Sequence, residues 1–412
     1  MIQPLPINAG DTAWVLISAA LVMLMTPALA FFYGGMVRRK NILAILMKCF
    51  ACLGVILLLW ALYGYSLAFG RGNPFIGGLE WLGLQGVGAA PNTDYAPTVP
   101  HSAFMIFQAM FAVITPAVII GSLVERIKFS SFLVFIILWL TFVYIPVCHM
   151  VWGVDGFLKT KGVLDFAGGC VVEINCGIAG LVSAMILGRR IGPTRPTLHN
   201  LPLVVLGGGL LWFGWLGFNA GSALAANGIA ANAFVTTNLA AAAAAVSWAA
   251  VEWLMTGKPT MFGTISGVIA GLVAITPGCG FVEPWAAMII GLVVGPLSFF
   301  AISTIKQKLG YDDSLDAFGV HGVGGFWGMI ATGIFATTAV NPAGANGLLL
   351  GGITVFKTQI FAACFTVVYC ASVTAIICLA VDKVLGLRVT PEEEILGLDL
   401  TQHYERAYTM LE

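Results

Sequence analysis

Charge is scarce in this chain. Only 9% of its 412 residues are Asp, Glu, Lys or Arg, where a soluble globular chain carries about a quarter. The charges that exist cancel, 19 basic against 19 acidic, so no large polyanion, and no nucleic acid, is implied as a partner. No basic segment precedes the first apolar run, so no cleavable signal peptide is evident. Nothing resembles a nucleophile with its base, which leaves no catalytic constellation for an enzyme, an intramembrane protease included. The nine cysteines show no metal-ligand spacing, and no metal or cofactor is expected. Cys49 and Cys52 form a Cys-x-x-Cys on an apparent membrane helix, where small apolar packing accounts for them. His101, His149, His199 and His403 fall near span ends or in the tail and support no site. Glycine clusters such as Gly207-Gly208-Gly209 do not resemble a phosphate loop, and close helix packing explains them better.

What is present is apolar. The chain is 59% hydrophobic with a mean hydropathy of +0.95. The charges sit in short segments between long apolar stretches, the pattern of a polytopic helical membrane protein. Its 50 glycines suit helices that must approach closely in lipid. The stretches read as an all-α integral membrane fold of about 11 spans, near 12–37, 42–69, 101–124, 130–153, 164–187, 199–224, 231–256, 260–277, 284–309, 315–338 and 350–385. Segment 70–100, rich in Gly and Pro, reads as a loop. Segment 386–412, with Glu392, Glu393, Glu394 and Asp399, reads as a polar tail.

Lys and Arg orient this map. Arg38, Arg39, Lys40, Arg126, Lys128, Arg189, Arg190, Arg195, Lys258, Lys306, Lys308, Lys383 and Arg388 fall on one side, against Arg71, Lys159 and Lys161 on the other. The positive-inside rule puts the N-terminus outside and the C-terminus in the cytoplasm. Lys48 and Lys357 lie near span ends and are expected to snorkel.

Ten spans divided into two halves of five must be inverted relative to each other, leaving a long last helix. Span five begins at Asp165 on the outer surface; span ten begins near Asp316 on the inner one. Each continues into a glycine-rich stretch and an ionisable residue, Glu173 and His321. At about 1.5 Å per residue Glu173 is expected roughly 12 Å below Asp165. An acidic side chain within a span is costly and marks a functional site by default, and inverted repeats bracket midplane sites in many transporters.

Three stretches carry a resemblance: Asp165-Phe166-Ala167-Gly168-Gly169-Cys170-Val171-Val172-Glu173, Gly214-Trp215-Leu216-Gly217-Phe218-Asn219-Ala220-Gly221-Ser222, and Asp316 to Gly325. In order and on these spans they resemble the ammonium transporters of the Amt/Mep/Rh family. The likeness runs from Phe31-Phe32-Tyr33-Gly34-Gly35-Met36 to Gly397-Leu398-Asp399-Leu400. It implies a homotrimer with one pore per subunit, with ammonium or ammonia as substrate and methylammonium as analogue. By the same resemblance Phe107, Trp152 and Ser222 form an outer vestibule, Phe111 and Phe218 a stacked gate, and Trp215, Glu173 and His321 line the pore below. The physics fits, since aromatic faces attract a desolvating cation and a hydroxyl offers a lone pair. Phe107 and Phe111 are four apart, as are Phe218 and Ser222, so each pair shares a helix face. Asp165 is expected to cap its helix and to shape the vestibule without touching the ion.

In most relatives the Glu173 position is histidine. A carboxylate–imidazole pair keeps the capacity to hold a proton between two groups. Desolvation and pairing act on both members in opposite senses, so the pair is expected to titrate as a unit. An acidic residue at this position also resembles a subset of fungal members. Two functions follow: ammonium transport past a Glu–His pair, or an ammonium receptor of the same fold that conducts poorly and signals through its tail.

The chain therefore reads as a transmembrane domain over 1–385 and a cytoplasmic regulatory tail over 386–412, in the cell membrane. The tail resembles the family's regulatory segment, except that its His-Gly-Glu triplet is here His403-Tyr404-Glu405, which removes a glycine from a turn. A cytoplasmic regulatory protein, or a signalling domain attached beyond Leu411-Glu412, is the partner this segment suggests.

Overall fold

The computed structural model describes residues 7–192 and 198–408; Arg195, Leu411 and Glu412 lie outside them. Eleven helices traverse the body: α1 (Ala9–Met36), α2 (Arg39–Phe69), α3 (His101–Leu123), α4 (Phe129–Trp152), α5 (Gly169–Leu187), α6 (Leu201–Gly221), α7 (Gly228–Thr256), α8 (Met261–Ile275), α9 (Pro284–Leu309), α10 (Phe318–Phe335) and α11 (Ile353–Leu385). Ten are long and apolar enough to cross a bilayer; α8, with 15 residues, is shorter and almost wholly buried among the others. The apolar side chains left exposed, such as Leu58, Leu62, Val246, Leu254, Val368 and Ile376, sit on the traversing helices, where lipid is an acceptable solvent. The chain is a multi-pass membrane protein.

Packing rests on small residues. A Cβ at Gly217 would fall 2.6 Å from Leu21 Cβ, and one at Gly207 2.7 Å from Ala28 O, so α6 lies against α1 only because these positions are bare. Gly209, by contrast, faces open space. Short π-helical turns open α5 at Gly169–Ile174 and α10 at Phe318–Gly322, and others lie within α2, α4 and α9 at Trp60–Gly64, Leu140–Tyr144 and Ala301–Ile305. Segment 70–100 holds two small antiparallel pairs, β1 (Gly72–Asn73) with β2 (Ile76–Gly77), and β3 (Pro91–Asn92) with β4 (Ala96–Pro100).

Arg38, Arg126, Arg190 and Arg388, from distant segments, meet carboxylates on one face. Glu125 takes ion pairs from Arg38 (3.0 Å) and Arg190 (3.2 Å), and Arg190 pairs onward with Asp312 at 2.9 Å. Burial pushes Glu125 and Asp312 up, but the guanidiniums outweigh it and hold both below the usual carboxylate range. The tail docks on this network as α12 (Pro391–Leu396) and α13 (Leu398–His403). A capping box between Thr390 and Glu393 starts α12. Glu394 is buried, pairs with Arg388 at 2.9 Å and accepts from Ile191 N. Asp399 accepts from Ala44 N at 2.8 Å, and Leu398 N donates to Asn41 Oδ1 at 2.8 Å. The segment is polar in sequence because carboxylates such as Glu394 and Asp399 accept from backbone groups up to 355 residues away. Lys48 does not snorkel: it is buried, and its ammonium bonds Ala44 O on the surface the tail occupies.

Candidate functional site

Phe107 and Phe111, one turn apart on α3, meet edge to face with centroids 5.0 Å apart. Trp152, from the end of α4, stands perpendicular to Phe111 at 5.9 Å. The end of α6 joins them: a Cβ at Gly221 would fall 3.0 Å from the Phe107 ring. The next residue, Ser222, donates its hydroxyl to Phe218 O at 2.8 Å, which leaves its oxygen lone pairs free to accept. Phe107, Trp152 and Ser222, taken from three distant stretches, thus converge on one place. Phe107 is fully buried, while Trp152 and Ser222 are half-buried.

Asp165 lies just behind this cluster. Its carboxylate accepts from the backbone N–H groups of Gly168 (2.9 Å), Gly169 (2.5 Å), Cys170 (2.8 Å) and Val171 (3.4 Å). It therefore caps α5 and absorbs the donors orphaned at a helix start. Its carbonyl accepts from Trp152 Nε1 at 2.9 Å, so the capped turn also fixes the tryptophan. The simple helical extrapolation from Asp165 to Glu173 fails, because Gly168 at φ +122° breaks the chain before the helix begins at Gly169.

Phe111 and Phe218 close the next level, their rings 4.3 Å apart and tilted by 40°. Trp215 follows at 5.4 Å from Phe218, and its indole is held by Thr276 at 2.9 Å. Trp215 lies nearly parallel to His321 at 6.5 Å. A cavity of about 20 Å³ is lined by Phe218, Trp215, Glu173 and His321, with aliphatic walls from Met25, Leu29, Val118 and Leu211. That is room for roughly one water-sized molecule. A second, of about 40 Å³, shares Phe32, Ile269 and His321 with the first and reaches Asp316. It shares Trp248, Leu315 and Asp316 with a cavity of about 740 Å³ that opens at Arg189 and Lys306 on the basic face. The three cavities, overlapping in their lining residues, mark out a route from the paired phenylalanines past His321 to that face.

Glu173 and His321 meet on this route. Glu173 Oε2 is 2.7 Å from His321 Nδ1, both side chains are buried, and Glu173 Oε1 has no hydrogen-bond partner. An N–H at Nδ1 facing the carboxylate leaves Nε2 of the neutral ring as an acceptor. Glycines admit the pair reciprocally. Gly325, one turn after His321, lies where a Cβ would fall 2.7 Å from Glu173 Cβ; Gly177, one turn after Glu173, lies against the backbone of His321 and Gly322.

The inverted halves agree in detail, with one correction. The counterpart of Asp165 is Asp313, not Asp316. Asp313, like Asp165, stands eight residues before its ionisable partner, and its carboxylate accepts from Ala317 N (3.2 Å) and Phe318 N (2.8 Å) at the start of α10. Asp316 occupies the turn position of Gly168, at φ +63°, and pairs with Lys306 at 2.5 Å. Sequence reasoning also passed over Thr276, Phe32 and Ile269, whose apolar or hydroxyl side chains carry no signal outside the folded route. Tyr404 does take the left-handed turn of the absent glycine, at φ +57°.

The sequence pattern of the Ammonium Transporter Family matches residues 13–408. An ammonium transporter of Bacillus subtilis is 54% identical over 399 residues, which cover 97% of this chain and 98% of that protein. Among solved structures, Saccharomyces cerevisiae Mep2 superposes with a TM-score of 0.88 at 36% identity, covering 94% of this chain and 88% of that one. A protein described as a sensor Amt protein superposes equally well, TM-score 0.88, at 29% identity over 96% of this chain and 98% of its own.

Proposed function

The chain belongs to the ammonium transporter family, and we propose that it moves ammonium across the membrane through the route described above. The observation that carries this reading is the order of features along that route: closely packed Phe111 and Phe218, then a one-molecule cavity lined by the buried Glu173–His321 pair. Transport is favoured over sensing because a named transporter shares 54% identity with the chain and the named sensor 29%.

Ammonium is recruited by the faces of Phe107 and Trp152 and by the Ser222 oxygen. Cation–π attraction is worth about 0.5–2 kcal/mol and grows as the ion loses water. Asp165 supports the vestibule through its cap and its bond to Trp152. Phe111 and Phe218 must part for each passage. Beyond them the walls are aliphatic, and a bare cation there costs far more than the vestibule supplies. The ion therefore gives up its proton inside this cavity, where Glu173 reaches it, and goes on past His321 as ammonia. Its proton is accepted at Glu173 Oε1, the oxygen with no partner, while Oε2 holds His321; the imidazole provides the next station toward the basic face. Potassium cannot follow, having no proton to give and no hydrogen bond to donate.

In this reading residues 1–385 form the transport domain of a homotrimer in the cell membrane, with the N-terminus outside. Residues 386–412 form a cytoplasmic regulatory tail that receives a partner protein. The test is current evoked by ammonium and by methylammonium from purified protein on a supported membrane. Saturable current with both is expected, and none with potassium. Binding of ammonium without current would reject transport in favour of a receptor.

A further inference from the structure

Cys176 stands outside everything assigned so far, yet it lies beside the pore pair. Glu173 and Cys176 are three residues apart on α5 and share a face; the thiol donates to Glu173 O at 3.4 Å. One donor atom each from Glu173, Cys176 and His321 lies within 4.8 Å of the other two, and all three side chains are buried. Glu173 Oε1 is left without any partner. A thiolate, an imidazole and a carboxylate together make a donor set that suits zinc. In a tetrahedral zinc sphere the donors stand roughly 3.5 Å apart, so rotamer adjustments of about an ångström would close this one. The spacing escapes a sequence search because His321 is 148 residues from Glu173.

We propose that Glu173, Cys176 and His321 form a site for a zinc-like divalent cation, and that its occupancy stops the pore. The cavity lined by Glu173 and His321 would give the ion its access, with room for a water as fourth ligand. Binding converts the Cys176 thiol to thiolate and releases its proton to solvent. The bound ion would engage Glu173 Oε1 and fix His321, both of which the transport cycle needs free. The block rests on the transport reading; the binding does not.

The test pairs zinc titration of the purified protein by calorimetry with zinc inhibition of ammonium-evoked current, in the wild type, Cys176→Ser and Cys176→Ala. Expected are one zinc per subunit in the wild type and current suppressed by zinc. Both variants should keep their basal current and need at least tenfold more zinc for either effect. Equal zinc affinity in all three proteins, or no zinc bound to the wild type, would overturn the site. Zinc bound through Cys176 with unaltered current would overturn the block. If no protein passes current, the transport reading fails while the calorimetry still decides the site.

Discussion

Glu173 and His321 meet through a 2.7 Å contact between Oε2 and Nδ1, from two helices that enter the protein in opposite senses. Each helix starts on an aspartate cap eight residues earlier, and each carries a bare glycine one turn later, where the other passes. The pair is thus held by backbone geometry on both sides, with one carboxylate oxygen free.

The vestibule predicts a binding defect. Trp152→Leu removes an aromatic face near Phe111 and the indole bond to Asp165 O. A loss of about 1–2 kcal/mol should weaken ammonium binding roughly 5- to 30-fold. An unchanged binding isotherm together with unchanged transport would reject the assignment of Phe107, Trp152 and Ser222.

The basic face predicts which side the tail occupies. Tyr404 is 90% exposed, so a cysteine placed there in a background stripped of native cysteines is open to reagent. An impermeant maleimide should label Tyr404→Cys in inverted vesicles and not in intact cells. Labelling from outside intact cells would contradict the orientation.

Tail docking should depend on pH. His403 packs its ring edgewise on Phe129 at 4.9 Å. Burial, with a smaller contribution from Lys48, lowers its pKa from 6.5 to about 4. A histidine with a depressed pKa in the docked state favours docking while neutral. That contribution is complete above pH 6.5 and falls away between about 6.5 and 4. Hydrogen exchange of residues 391–403 should accelerate over that window, and His403→Gln should flatten the change. Exchange independent of pH after correction for intrinsic rates would refute it.

Tyr404 carries a backbone cost. A left-handed conformation costs a non-glycine residue about 1–2 kcal/mol, and this side chain makes no compensating burial. Tyr404→Gly should therefore slow exchange in α13, or raise its resistance to proteolysis. A looser tail in that variant would show that the ring contributes more than the strain removes.

The spans and the aromatic stripes were legible because period and length are local. The pairing of Glu173 with His321 was implied by the family resemblance, and counting spans added that the two come from inverted halves. Other features depend on partners that no spacing rule selects. Asp312, Asp313 and Asp316 are close neighbours in sequence, and only the fold decides that Asp313 caps α10 while Asp312 binds Arg190 and Asp316 binds Lys306. An unbroken helix from Asp165 to Glu173 was the wrong geometry, because Gly168 delays the helix to Gly169. Glu394 and Asp399 belong to a segment that reads as a polar tail, yet both are buried against backbone groups hundreds of residues away. Cys176 gave no signal at all without His321 beside it.

The most direct measurement is the pH profile of ammonium-evoked current in the wild type, Glu173→Gln and Glu173→His, with ammonium binding followed in parallel. If Glu173 takes the substrate's proton, Glu173→Gln keeps binding but loses current or its pH dependence, and Glu173→His restores current with a shifted profile. Identical profiles in all three would contradict a proton role for the pair.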